Sequence, residues 1–196
     1  DLEAKGAVTC PDIDAVPDGY EVIIRSHGVT PDVYRTCEAR GIPVIDATCP
    51  HVAHIHQLVE QYSGNGDAVV IVGEADHPEV IGIRGYCTGD SYVFRDEQEL
   101  ENCLKNAPVD ADTAFSMVSQ TTFNTKLWEN CAKNAKKLCT NLQIFDTICN
   151  ATAKRQEEAI QLARQCDHMV IVGGRESSNT AKLRDVCAPY CTTHAV

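Results

Sequence analysis

The sequence predicts an α/β protein of repeated modules, each a small, mostly parallel sheet flanked by helices. Three observations lead there. Residues 45–49 read Ile-Asp-Ala-Thr-Cys and residues 145–149 read Phe-Asp-Thr-Ile-Cys, 100 positions apart. Downstream the two stretches stay in step: VVIVG at 69–73 answers MVIVG at 169–173, and Asp-His-Pro-Glu at 76–79 answers Glu-Ser-Ser-Asn at 176–179. A match of this length marks a duplicated structural unit. Finally, short β-branched runs alternate with segments of helical period, as in parallel sheets covered by helices.

In chain order, strands are expected at 21–24, 43–45, 68–72, 91–94, 114–118, 143–145 and 168–172, with another beginning at 192–196. A short helix is expected after Ser26-His27-Gly28-Val29. Beyond Pro50, Val52, Ile55, Val59 and Tyr62 recur at spacings of three, four and three, which is one face of a helix. Residues 124–138 and 151–165 also read as helices. The turn Ser119-Gln120-Thr121-Thr122 closes its strand as Ser26-His27-Gly28-Val29 closes an earlier one, which aligns Ser26 with Ser119. On this order residues 49–148 form a complete module, residues 1–48 the back half of an earlier one, and residues 149–196 the front half of a later one. The chain, which begins with Asp1, therefore reads as a middle portion. The repeat places a further cysteine roughly 35–50 residues before it. The matching cut points also suggest that the two half-modules pack together.

Composition narrows the function. Seventeen Lys and Arg against 28 Asp and Glu leave a net charge of −11, with no basic cluster beyond Lys136-Lys137, so nucleic-acid binding is not expected. No apolar run reaches membrane-span length and no leader-like segment opens the chain, so a soluble, non-membrane protein is expected. The 11 cysteines are scattered without a Cys-x-x-Cys pair, which favours a reducing cytoplasm over a secreted disulfide scaffold. Nine of them (Cys10, Cys37, Cys87, Cys103, Cys131, Cys139, Cys166, Cys187 and Cys191) read as small apolar packing residues.

Cys49 and Cys149 are different, because the repeat places each at a strand-to-helix turn. Pro50 suits a first helical position, which puts Cys49 at the helix N-cap, where the helix dipole favours the thiolate that binds metals. With a third copy implied, three thiolates around a pseudo-threefold axis suit an iron–sulfur cluster better than a structural zinc. His51, His54 and His56 follow on the same helix. Only His51 and His54 share a face, and the second copy lacks equivalents, so solvated or satisfied helix histidines are the plainer reading. His77-Pro78-Glu79 offers an imidazole and a carboxyl able to hold an anion and move protons. Ser177-Ser178-Asn179 offers neutral donors at a helix start, suited to a phosphate or diphosphate.

Taken in order, Ser26-His27-Gly28, Asp46-Ala47-Thr48-Cys49-Pro50, His77-Pro78-Glu79-Val80, Gln120-Thr121-Thr122, Cys149-Asn150-Ala151-Thr152 and Ser177-Ser178-Asn179 resemble the LytB/IspH family. These are reductases that convert 4-hydroxy-3-methylbut-2-enyl diphosphate to isopentenyl and dimethylallyl diphosphate by two-electron reductive dehydroxylation. The resemblance covers nearly the whole chain. It implies a pseudo-threefold trefoil of αβα modules around a [4Fe–4S] cluster, with Cys49 and Cys149 as two of its three thiolate ligands. It implies that Glu79 relays a proton and Thr121 hydrogen-bonds the same region. His27, His77, Ser177, Ser178 and Asn179 would line the diphosphate pocket, and an electron donor such as ferredoxin or flavodoxin would supply the electrons. The family's Gly-Phe-Cys-Ala-Gly-Val-like, His-Asn and Ser-Ala-Pro motifs have no match within residues 1–196, so the chain alone is expected to be inactive. Two other readings stay open: a non-catalytic structural or interaction domain retaining the motifs, and a cysteine-nucleophile hydrolase using Cys49 with a nearby histidine.

Overall fold

A computed structural model of the chain describes residues 3–106 and 113–196. After two short 3₁₀ turns the elements run β1 (Val22–Ile24), α1 (Pro31–Arg40), β2 (Val44–Asp46), α2 (Pro50–Gly64), β3 (Ala68–Val72), α3 (Pro78–Gly85), β4 (Ser91–Phe94) and α4 (Glu97–Asn106). Then come β5 (Phe115–Ser119), α5 (Thr125–Leu138), β6 (Leu142–Ile144), α6 (Asn150–Ala163), β7 (His168–Ile171), α7 (Ser178–Cys187) and β8 (Thr192–Ala195). The expected strands fall within a residue of these bounds. Helices α3 and α4, which the sequence does not single out, are added.

All strand pairs are parallel. A central sheet has the order β4-β3-β5-β6, while β1-β2 and β7-β8 are separate two-stranded sheets. Every residue of β3 and β5 is buried, which is why these strands read as unbroken apolar runs without alternation. Their two faces feed two cores. Val70, Val72 and Met117 pack with Leu100, Phe123, Trp128 and Cys131 beneath α4 and α5. Val69, Ile71 and Val118 pack with Ile55, Val59, Val80 and Ile83 from α2 and α3. The switch between faces from one residue to the next is the two-residue period of a strand.

The helix ends follow local chemistry. Proline opens α1, α2 and α3, where a missing N–H costs nothing. The Asn124 side chain accepts from the Leu127 N–H at the start of α5, and Gly41 closes α1 at φ +64. At the repeated glycines the helix crosses the strand end closely. A Cβ on Gly73 would stand 2.9 Å from Val80, and one on Gly173 would stand 2.1 Å from Thr180 Oγ1. The 100-residue period thus survives as a packing detail.

The end sheets are thinner. Two strands alone are marginal in water, and each pair leans on its own small core: Val16, Cys37 and Ile42 in one, Ala163, Ile171, Val186 and Cys187 in the other. Ile23 and Ile45, register partners across β1-β2, are each 51% exposed. The expectation that residues 1–48 and 149–196 pack together does not hold. Their sheets are separate, and the main element contacts join neither α1, β1 nor β2 to α6, α7, β7 or β8. Two cysteines also depart from the packing role: Cys10 and Cys166 are exposed, because each lies on a connection outside any core.

No helix among the described residues is long and apolar enough to cross a membrane. Met117 lies fully buried beside Trp128, the chain's single tryptophan, so truncation there opens a cavity the fluorophore reports. Met117→Ala is expected to lower stability by about 2–5 kcal/mol, and the exposed Ile23→Thr to change it by no more than about 0.5 kcal/mol. Urea unfolding followed by tryptophan fluorescence measures both.

Candidate functional site

The repeated cysteines occupy equivalent positions. Cys49 caps α2 with φ −59 and ψ 133, and Cys149 caps α6 with φ −61 and ψ 128. Neither side chain bonds its own helix, and both thiols are free and partly exposed. The Cys49 N–H donates to the Ser26 carbonyl and the Cys149 N–H to the Thr121 carbonyl, each at 3.0 Å. These bonds correct the alignment of the two turns. Ser26 stands where Thr121 stands, two residues beyond Ser119, because the strand ladder rather than the shared serine fixes the register. Among the described residues, no hydrogen bond joins either thiol to an imidazole.

Thr121 also holds the carboxyl. Its N–H donates to Glu79 Oε1 at 2.6 Å and its hydroxyl to Glu79 Oε2 at 2.8 Å. Glu79 comes from the carboxyl end of the neighbouring strand, β3. Chain leaving β3 through Gly73 turns at His77, whose Nδ1 accepts from the Glu79 N–H at 3.2 Å, and Pro78 starts α3. The Glu79 carboxyl is 1% exposed. Burial pushes its pKa up while the two bonds from Thr121 pull it back, leaving a net upward shift. A buried carboxyl so disposed can hold a proton where an ordinary glutamate could not.

Around this pair lie neutral polar groups. The Gln120 amide donates to Thr122 Oγ1 at 3.0 Å and to Ser178 Oγ at 3.3 Å, and its Oε1 accepts from the Glu74 N–H at 3.1 Å. Thr122 and Ser178 hydroxyls meet at 3.2 Å, and Lys182 Nζ pairs with Glu74 Oε1 at 2.6 Å. Through these contacts α7 is attached to the central sheet. Ser177 caps α7 with its hydroxyl, so at this turn the side chains of both Ser177 and Ser178 are engaged. His27 and His77 stack edge to face at 5.3 Å. Burial lowers both imidazole pKa values; Arg25 adds to the effect at His27, and His27 adds to it at His77. Among the described residues, the buried side-chain atoms without a hydrogen-bond partner are His27 Nδ1, His56 Nε2 and Asn179 Oδ1. Two of them thus belong to turns expected to hold an anion.

The α2 histidines divide. His51 and His54 are exposed and line a small cavity with Asp146 and Asn150. His56, by contrast, is buried and stacked on Tyr86 at 4.2 Å, neither solvated nor satisfied. It is four residues from Val52 and so falls on the apolar face, the signal that the sequence reading passed over. Its ring fills the space that a side chain on Gly28 would need, standing 2.6 Å from that Cβ position. The contacts of Gln120 with Glu74 and the Glu74–Lys182 pair emerge only from the structure, since both join segments 46 residues or more apart.

Whether the cysteines suit an iron–sulfur cluster rests on their donor set. Two uncapped thiols at matching helix N-termini fit as two ligands of such a group, and among the described residues no three Cys, His, Asp or Glu converge as a complete metal site.

A family model described as LytB protein matches residues 1–196. The chain is 36% identical over 194 residues to the 4-hydroxy-3-methylbut-2-enyl diphosphate reductase of Clostridioides difficile (strain 630), covering 99% of this chain and 68% of that protein. It is 40% identical over 193 residues to the enzyme of the same name from Caldanaerobacter subterraneus subsp. tengcongensis, covering 97% and 65%. The solved E-1-hydroxy-2-methyl-but-2-enyl-4-diphosphate reductase of Plasmodium falciparum shares the fold, with TM-score 0.92 at 24% identity over 100% of this chain and 61% of that one. A solved (E)-4-hydroxy-3-methyl-but-2-enyl diphosphate reductase matches with TM-score 0.63 at 34% identity over 92% of this chain and 65% of that one. The chain thus spans about two thirds of the length of these relatives.

His56 yields a pH test. Burial lowers its pKa to about 4, with nearby Asp46 opposing the shift, while the unfolded chain has an ordinary imidazole. Between the two values the unfolded state binds the extra proton, so stability falls as pH drops from about 6.5 towards 4. Full conversion at about 1.4 kcal/mol per pH unit is discounted for solvent screening beside an open cavity, leaving on the order of 1–2 kcal/mol. His56→Gln should flatten this part of the profile in urea titrations repeated at each pH.

Proposed function

The chain belongs to the LytB family, and from that premise we propose that it is the part of a 4-hydroxy-3-methylbut-2-enyl diphosphate reductase that holds the proton donor, two cluster ligands and much of the diphosphate site. The carrying observation is the continuous link Glu79–Thr121–Cys149, in which one threonine binds the buried carboxyl through two donors and the cysteine turn through its carbonyl.

In this reading Cys49 and Cys149 hold a [4Fe–4S] cluster together with a third thiolate from outside residues 1–196. When bound, that group delivers the two electrons of the reductive loss of the hydroxyl. The overall change is allylic alcohol plus two electrons and two protons, giving alkene and water. Glu79, kept protonated by burial, supplies the proton with which the hydroxyl leaves as water, and the Thr121 hydroxyl orients that carboxyl. At the other end, His27, His77, Ser178 and Asn179 bind the diphosphate as neutral donors. Asn179 lies in the first turn of α7, which adds backbone N–H groups. Ser177 contributes by fixing that turn. The residues divide as 1–48, 49–148 and 149–196 into parts of three αβα modules around the cluster. An electron donor such as ferredoxin or flavodoxin and a cytoplasmic setting complete the proposal.

Two outcomes test it. Anaerobic reconstitution of the 196-residue chain with iron, sulfide and a reductant should give no sustained conversion of the diphosphate, because the ligand set is incomplete; robust product formation would sink that part. In a protein carrying these residues with the remaining ligand, Glu79→Gln should lower kcat by about 10²–10⁴ while leaving diphosphate affinity nearly unchanged. An equal loss of affinity would place Glu79 in binding rather than proton transfer.

A further inference from the structure

Three cysteines outside the polar cluster converge where the strands of the β7-β8 sheet begin. Cys166 lies two residues before β7, Cys191 immediately precedes β8, and Cys187 ends α7. The Thr192 N–H donates to the Asp167 carbonyl at 3.0 Å, continuing the parallel ladder past its first partners His168 and Thr192. Residues 166 and 191 are thereby diagonal neighbours across adjacent strand entries. Parallel strands lie about 4.8 Å apart, and disulfides join Cα atoms about 4.4–6.8 Å apart. Cys191 stands near enough to push the Cys166 thiol pKa up, while the Cys166 thiol reaches only the Ala163 carbonyl, at 4.0 Å, and the Cys191 thiol the Thr193 hydroxyl, at 3.7 Å. Cys187 is 0% exposed within the core of Ala163, Ile171 and Val186, whereas Cys166 is exposed and Cys191 only partly covered. The geometry is therefore an accessible thiol near a second one, with the third walled off.

We propose that Cys166 and Cys191 are a redox-sensitive pair that closes to a disulfide on meeting a low-molecular-weight disulfide such as oxidised glutathione. The exposed Cys166 thiolate attacks the glutathione S–S bond, forming a mixed disulfide and releasing one glutathione thiolate. Cys191, as thiolate, then attacks the Cys166 sulfur, forming the internal S–S bond and releasing the second glutathione. The two cysteines lose two electrons and two protons, and the oxidant leaves as two molecules of glutathione. Partial desolvation, neighbouring Cys191 and nearby Asp167 push the Cys166 thiol up, so exchange quickens on the alkaline side of neutrality. The bond encloses all of α7, including the turn bearing Ser178 and Asn179. Its closed loop restricts the unfolded chain and steadies a unit that otherwise has only two strands and a small core. This assignment is independent of the proposed reductase activity.

The test is peptide mapping of the 196-residue chain, reduced and then held at pH 8 with oxidised glutathione before alkylation. Trypsin places Cys166 in residues 165–175 and both Cys187 and Cys191 in residues 185–196, and chymotrypsin cleaving after Tyr190 separates the latter two. The expected product links Cys166 to Cys191 and is two hydrogens lighter than the reduced peptides. It should be absent in Cys166→Ser and retained in Cys187→Ala. The oxidised chain should melt several degrees above the reduced one, with no such difference in Cys166→Ser. A bridge to Cys187, a Cys166 that stops at the mixed disulfide, or an unchanged melting temperature on bridging would each overturn the proposal.

Discussion

The site depends on one hydrogen-bonded pair: the Glu79 carboxyl on the main-chain N–H and hydroxyl of Thr121. A carboxyl with 1% exposure is costly unless its oxygens meet donors, and here each oxygen meets one. Meeting them requires two strand ends to lie side by side. The β3-β5 register, in which Val72 stands opposite Ser119, places Thr121 two residues beyond one end and starts the turn to Glu79 from the other. Gly73 allows Gln120 and Val80 to crowd that turn, at distances no side chain would tolerate. Since the Thr121 carbonyl then receives the Cys149 N–H, the same residue sets both the acid and the second thiol. Moving β5 along β3 by one step would reverse the side Thr121 faces and dissolve all three contacts.

The repeat explains why such a cluster can be built twice from short chain segments. Cys49 and Cys149 share backbone angles, amide partners and helix-start positions, so their thiols are presented by geometry and not by neighbouring side chains. The copies differ in what surrounds them. In the central unit α3 presents a carboxyl beside an imidazole, and at the matching turn α7 presents hydroxyl and amide. A common frame with unlike tips sets a buried carboxyl and neutral polar groups close together, linked by the Gln120–Thr122–Ser178 hydrogen bonds.

Much of this was legible in the sequence, for reasons specific to each part. Buried parallel strands such as β3 and β5 announce themselves as continuous apolar runs, and Pro50 marks a helix start by its missing N–H. The 100-residue repeat located both cysteines and both polar turns that start α3 and α7. Alignment by residue identity failed where register mattered: Ser26 matched Ser119 by letter, but the ladder pairs it with the position of Thr121. His56 was misread because a histidine among two exposed neighbours looks solvated, although its spacing from Val52 puts it against Tyr86. The contact of Gln120 with Glu74 and the Glu74–Lys182 pair join distant segments, which no local pattern encodes.

The pocket's electrostatics remain to be reconciled with the charge of the chain. A protein of net charge −11 is a poor attractor of a diphosphate over long range, and Lys182, one turn past Ser178 on α7, is already paired with Glu74. On the proposed reading, affinity would come from short-range dipoles: imidazole N–H groups, hydroxyls and the start of α7. Burial suits this arrangement, because it favours the neutral forms of His27 and His77 and leaves His27 Nδ1 without a hydrogen-bond partner. On the proposed reading a bound diphosphate would favour protonation of both imidazoles, so anion binding and proton uptake would be linked in the space beside the buried Glu79 carboxyl.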